Sequence, residues 1–275
     1  MEPFDNIHAF IVDMDGVLWH GDKAMPGLVA FFQVLRERHI RFILATNNAS
    51  LTQEQYVKKL AKMGVHVTEN EILTSGMATA LYLKEHNDSA TTRIFVVGEE
   101  GARKPLLEQG FMLTELYEVK GSDSADLTKG ADIVVCGKDE TLTWAKLATA
   151  TLAIRAGAAF IATNADVTLP TERGVTHGNG AILAALEAAT GVKPFVIGKP
   201  EPIMYQQALA ILGVDLTQAV AIGDRLDTDI LGAVRAGIRS VLVLTGISSE
   251  EDLTVTDYKP TWIMTDIRAI TKALQ

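Results

Sequence analysis

Two aspartates two positions apart, Asp13 and Asp15, follow an apolar run and stand directly before Gly16. Carboxylates placed this way can divide a reaction between them, one attacking as nucleophile and the other carrying the proton. Residues Ala9 to Val12 read as a short, fully apolar strand that presents both acids at its tip. In an open α/β sheet, ligands bind outside the carboxyl ends of the strands. The same residues also suit a plain polar turn, since Asp and Gly are ordinary turn formers.

Three later segments bear on that choice. Thr46 and Asn47 close a second apolar strand, Lys199 follows a third within Gly198-Lys199-Pro200, and Asp224 and Asp229 follow a fourth. Parallel strands share a direction, so groups at their carboxyl ends converge on one edge however far apart they lie in the chain. Each segment has a bland reading taken singly. Thr46-Asn47 can open a loop, Lys199 can be a solvated turn lysine, and 224–229 can be a capped helix start with Asp227 as N-cap. A calcium loop is a poor match to 13–16, which lacks a glycine at the sixth position and a later bidentate glutamate.

Carboxylates gathered at one edge repel by about 4 kcal/mol per pair at 4 Å and an effective dielectric near 20. Oxygen ligands without histidine or cysteine point to a hard cation, Mg²⁺ by preference, which also binds phosphate oxygen. Lys199 and Thr46 add donors for an anion. Such a set makes a phosphoryl-transfer site, in which positioning and charge neutralisation dominate. Asp13, nearer the strand end, is placed for attack. Asp15 is then the proton carrier, and Gly16 lets the backbone turn so that the second acid returns towards the first.

The elements that must position these groups alternate along the chain. Strand 9–12, a helix from Leu28, strand 41–45, a helix from Thr52 to Met63 and strand 72–74 predict a parallel sheet with right-handed crossovers. A second run follows: strand 93–97, helix 101–109, strand 132–136, helix 142–156 and strand 158–162, with a polar connection over 114–130. From Gly178 the first pattern resumes with helix 181–190, strand 195–197, a helix opened by Pro202, strand 219–222, a short helix, and strands 240–244 and 261–264. Helix after helix stops on glycine, as αL caps require. The fold class predicted is α/β: a doubly wound parallel-sheet core of residues 1–77 and 179–275 with a smaller α/β unit, 78–178, inserted.

Composition sets the outer bounds. The chain has 275 residues, 48% of them hydrophobic, and a net charge of −9. That charge argues against a nucleic-acid binder, which must neutralise phosphates, and against an anionic membrane surface. It does not exclude a small phosphorylated substrate, because one lysine and one cation reverse the field locally. The lone Cys136 lies in an apolar run and reads as a buried thiol in a reducing cytoplasm. No signal peptide or membrane span is predicted.

Taken in order, Asp13-Met14-Asp15-Gly16-Val17-Leu18, Thr46-Asn47-Asn48, Gly198-Lys199-Pro200 and Gly223-Asp224-Arg225-Leu226-Asp227-Thr228-Asp229 resemble the haloacid dehalogenase superfamily. The resemblance is to its NagD-like branch of pyridoxal and phosphoglycolate phosphatases, which carries a large α/β cap. It implies Asp13 as nucleophile and Mg²⁺ ligand, Asp15 as general acid/base with its backbone carbonyl on the metal, and Asp224 as the third ligand. Thr46, Asn47 and Lys199 would hold the phosphoryl group, and Asp229 would support the metal from behind. In the cap, Lys138, Asp166 and Leu169 look like leaving-group contacts.

The function expected is hydrolysis of a small phosphomonoester of the nucleotide, sugar phosphate, phosphoglycolate or pyridoxal phosphate type, through an aspartyl phosphate. The rivals are a phosphotransferase or mutase with the same nucleophile, and a receiver-like module phosphorylated on aspartate. Asp15 weighs against the receiver, because a second acid serves to hydrolyse the phospho-aspartate. A cap-to-cap homodimer is open by resemblance alone.

Overall fold

The computed structural model describes residues 4–120, 130–171 and 173–275. Of the connection expected over 114–130, residues 121–129 lie outside the described residues. The chain forms two compact units, one of Met1–Thr46, Gln53–Leu73 and Lys199–Gln275, the other of Asn47–Thr52 and Thr74–Gly198.

The first unit is built on a six-stranded sheet in the order Trp262–Met264, Arg239–Val243, Ala219–Gly223, Ala9–Val12, Arg41–Thr46, Ile72–Thr74. Ala9–Val12 is central and buried at every residue, which explains its unbroken apolar sequence. It runs parallel to both neighbours, Val12 lying in register with Ile222 on one side and Leu44 on the other. The chain winds outward from this strand in one direction and later returns to build the other half. Asp13 and Asp224 therefore follow the two strands at the point where the winding reverses, the crevice where ligands collect in such sheets. Helix Leu28–Glu37 buries Leu28, Phe31, Phe32, Val34 and Leu35, and helix Ile203–Leu212 buries Met204, Tyr205, Ala208 and Leu212.

The second unit has a five-stranded sheet, Phe195–Val196, Ala159–Ala162, Ile133–Cys136, Arg93–Val97, Met112–Leu113, parallel at every pairing. Helices Ser75–His86, Glu100–Glu108, Trp144–Arg155 and Asn179–Thr190 belong to it, with an antiparallel hairpin of Thr168–Thr171 and Gly174–His177. The α/β class and the parallel sheets are as the sequence predicts.

The division between the units is not. Residues 47–52, 74–77 and 179–198, which the sequence places in the core, fall in the second unit, and Phe195 and Val196 pair with Ile161 and Ala162 of the second sheet. Ile182, Leu183 and Leu186 complete the apolar cluster formed by Val134, Cys136, Ala150 and Phe160. Helix–strand alternation is the same in both units, so only strand pairing could place this segment.

Helix Ser75–His86 is also absent from the sequence reading. It begins with Thr74 Oγ1 accepting from Met77 N at 3.1 Å, and apart from Leu83 it buries small residues, Ser75, Gly76, Ala78, Thr79 and Ala80, rather than an apolar stripe. A Cβ on Gly76 would lie 2.1 Å from the Gly101 carbonyl oxygen, so this helix and Glu100–Glu108 meet backbone to backbone.

Candidate active site

Asp13 continues the ladder of its strand, its N–H donating to the Ile222 carbonyl at 2.8 Å. That bond fixes the backbone from which the carboxylate projects. Oδ1 accepts from Lys199 Nζ at 2.5 Å. The same ammonium donates to Asp229 Oδ1 at 2.6 Å and to the Ala45 carbonyl at 3.0 Å. Lys199 is only 3% exposed, an environment a charged lysine tolerates only when paired and hydrogen-bonded. Burial works to strip its proton, but Asp13 and Asp229 more than offset that and hold its pKa well above the usual value.

Asp224 is held by the backbone of one loop and closely approached by Gly16 of another. Ile247 N donates to Oδ2 at 2.8 Å and Ser248 N to the Asp224 carbonyl at 3.1 Å. A Cβ added at Gly246 would fall 1.7 Å from Oδ2, and one at Gly16, where φ is +84°, 2.6 Å from it. Both glycines are therefore required by the carboxylate they enclose. Asp229 sits on a widened turn in which Arg225 O accepts from both Asp229 N and Ile230 N, at 3.0 and 3.1 Å. Its Oδ2 accepts from Arg225 N at 3.1 Å, and its carbonyl from the Tyr205 hydroxyl at 2.8 Å. Asp227 is not a helix cap: it is exposed and paired with Arg225 at 2.8 Å.

One oxygen from each of Asp13, Asp224 and Asp229 can be chosen so that all three lie within 4.8 Å of one another. Burial first, then the charges of Asp229 and Asp224, drive the Asp13 pKa well up, although Lys199 pulls the other way. Burial and Asp229 push Asp224 up to about 7. One ammonium thus fails to balance three carboxylates, two of them buried and Asp13 partly so. The donor set is oxygen only and short of positive charge, which fits a hard divalent cation.

Asp15 faces solvent, and its Oδ1 accepts from Trp19 Nε1 at 2.8 Å. Thr46 ends its strand and is 3% exposed. In the second unit, Asn47 Nδ2 donates to Asp166 Oδ1 at 3.0 Å, while the Asn47 carbonyl accepts from Asn164 Nδ2 at 2.7 Å and Ser75 Oγ at 2.5 Å. Lys138 is paired with Glu140 at 2.5 Å, and Leu169 lies half-buried in the hairpin. The structure thus brings Asp13, Lys199, Asp224 and Asp229 together, and joins Asn47 to Asp166. Cys136 is fully buried and its thiol is pushed up by that burial, so it offers no nucleophile.

Sequence reasoning missed the groups that hold the acids: Trp19 as a donor, Tyr205, the Ala45 carbonyl, and the loop Thr245-Gly246-Ile247-Ser248. The loop carried one usable signal, a Thr-Gly pair directly after an apolar strand.

A carboxylate at a strand end, a lysine on its oxygen and two further acids beside it make the kind of site that an α/β enzyme uses on an anionic substrate. Known proteins extend this. A haloacid dehalogenase-like hydrolase family matches residues 10–112, and a HAD-hydrolase-like family matches residues 196–270. The acid sugar phosphatase of Staphylococcus saprophyticus is 36% identical over 270 residues, covering 98% of this chain and 99% of that protein. The structure of a glycerol phosphate phosphatase from Mycobacterium tuberculosis in complex with magnesium has TM-score 0.87 and 35% identity, covering 99% of this chain and 79% of that one. NagD from Escherichia coli K-12 has TM-score 0.83 and 32% identity, covering 95% and 97%. The chain belongs to the haloacid dehalogenase-like hydrolases, in their NagD-like branch, and is a phosphoric monoester hydrolase. No described helix is long and apolar enough to cross a membrane.

Proposed function

We propose that the protein is a Mg²⁺-dependent phosphatase of small phosphomonoesters that works through an aspartyl phosphate on Asp13. The observation that carries this reading is the seating of Asp13: at a strand end, with Oδ1 held by Lys199 at 2.5 Å and two more carboxylates close by. With one oxygen fixed, the other is directed to attack phosphorus. As the Asp13 O–P bond forms, the ester P–O bond breaks, and its electron pair goes to the leaving oxygen, which takes the proton from Asp15. Asp15 then removes a proton from water, the water oxygen attacks phosphorus, the Asp13 O–P bond breaks, and inorganic phosphate leaves.

Asp13, the Asp15 carbonyl and Asp224 would hold Mg²⁺, with Asp229 oriented behind them by Lys199 and Arg225 N. Bound there, Mg²⁺ supplies the positive charge that lets two anions approach one another. The magnesium complex of the related glycerol phosphate phosphatase supports this choice of ion. Thr46 would donate to the phosphoryl oxygens, Lys199, whose three N–H groups go to Asp13, Asp229 and the Ala45 carbonyl, would bring its positive charge to them, and Asn47 is assigned with them. Lys138, Asp166 and Leu169 are our assignment for recognition of the leaving group, a sugar, polyol or nucleoside hydroxyl on the names of the relatives.

Asp13→Asn tests the reading. Loss of at least about 10⁴-fold in phosphate release, with an unchanged far-UV spectrum, is expected for removal of a nucleophile. Substantial turnover by that variant would refute the mechanism.

A further inference from the structure

We propose that Trp19 is a positioning residue for Asp15: its indole N–H occupies Oδ1, and Oδ2 is thereby the oxygen that gives and takes the proton. This rests on the general acid/base role assigned to Asp15 above.

The two residues differ sharply in setting. Trp19 is fully buried, whereas Asp15 is exposed, so a rigid donor anchors a side chain that solvent would otherwise leave free to rotate. Backbone closes the same turn, with Gly16 N donating to the Trp19 carbonyl at 2.8 Å. The strand Trp19–His20 is in turn paired with Lys23–Ala24. The indole is contacted by two residues one turn apart on helix Gln53–Lys62. The Tyr56 ring stacks on it at 6.4 Å between centroids and 22° between planes, and Lys59 Nζ lies 4.6 Å from its centroid.

Chemistry then divides the carboxyl oxygens. An indole N–H donates and cannot accept, so Oδ1 must remain an acceptor in both protonation states of Asp15. Breaking this bond would leave a buried N–H without a partner, which is costly. The lysine above the ring face, attracted to the π system, adds a cation beside the donor. In the first half-reaction the Oδ2–H bond breaks as the leaving oxygen gains the proton. In the second, Oδ2 takes a proton from the attacking water, and Oδ1 stays on Trp19 throughout.

A positioning role has a signature that loss of packing lacks. Protonation matters greatly for an alkoxide leaving group and little for 4-nitrophenolate, and kcat/KM reports the steps up to phospho-enzyme formation. Measured on glycerol phosphate and 4-nitrophenyl phosphate with Mg²⁺, Trp19→Phe should lower kcat/KM for the alkyl ester about tenfold or more beyond its effect on the aryl ester. A second protein, with the indole at position 19 replaced by benzothiophene, keeps the ring size and removes only the N–H; it should shift the ratio in the same direction. Equal losses on both esters, or none, in the benzothiophene protein overturn the inference. Asp15→Asn is the reference. If it shifts the ratio and the position-19 variants do not, the inference alone fails; if it leaves the ratio unchanged, the acid role of Asp15 fails and takes the inference with it.

Discussion

Gly16 and Asp224 come from opposite ends of the chain, yet a Cβ on Gly16 would stand 2.6 Å from Asp224 Oδ2. The turn that follows Asp13 is therefore shaped around the carboxylate delivered by a neighbouring strand. Gly16→Ala meets two penalties at once, a left-handed φ of +84° and this contact. We expect it to cost about 1–3 kcal/mol of stability and about 100-fold in turnover through displacement of Asp224. Gly21→Ala is the control. Its φ is +56° with open space around it, so only the strain of about 1 kcal/mol should appear in a urea melt, with turnover kept.

Cation binding should be visible without catalysis. A ligand that binds only the folded state at 100 times its Kd stabilises by about 2.7 kcal/mol. Mg²⁺ is therefore expected to raise the melting temperature of the wild-type chain in a saturable way, and EDTA to reverse it and abolish turnover. Asp224→Asn should lose most of the melting shift. Turnover that survives exhaustive chelation would contradict the metal assignment.

Asp15→Asn should uncouple the half-reactions. Transfer to Asp13 from an activated aryl ester needs little acid help, whereas hydrolysis of the phospho-enzyme needs a base. Acid-quenched samples of this variant are expected to carry one added phosphoryl group by mass spectrometry, localised to the peptide containing Asp13. The wild type should show far less under the same conditions.

A pH effect is expected in the second unit. Asp139 accepts from Lys146 Nζ at 2.7 Å and from Thr141 N and Oγ1 at 2.9 and 2.8 Å. Burial works to raise its pKa, but the hydrogen bonds of Lys146 and Thr141 outweigh it and hold the carboxyl below the usual range. A depressed folded-state pKa gives stability that is present above the unfolded carboxylate value, about 3.9, and is lost as pH falls through the lower folded value. Asp139→Asn should cost about 1–3 kcal/mol at neutral pH, discounted because Lys146 is partly exposed. The gap between the variant and wild type should close below about pH 4 in denaturant melts. A gap that stays constant with pH would show that the charge does not matter.

The acids of the site were legible because local sequence marks them: an apolar strand such as Ala9–Val12 has to end somewhere, and where it ends in Asp13 and Asp15 the polar groups stand out. The same holds for Lys199 after Phe195–Val196 and for Asp224 after Ala219–Gly223. Helix Ser75–His86 left no such mark, since it packs through glycine and alanine against another backbone and shows no apolar stripe. The assignment of 179–198 failed for a different reason: its pattern suits either sheet, and the Phe195–Ile161 pairing is a fact about the whole chain.

What the sequence determined by itself was a set of strand ends and the chemistry that their side chains could share. Periodicity and glycine stops are local, and local forces write them into the chain. Only the tertiary structure decided which oxygen of Asp13 Lys199 holds, that Asp229 shares that lysine, that Gly246 and Ile247 enclose Asp224, and that Trp19 fixes Asp15. These are contacts set by strand order and register, and except for the short reach from Trp19 to Asp15 they join segments far apart in the chain, where no repeat or spacing records them.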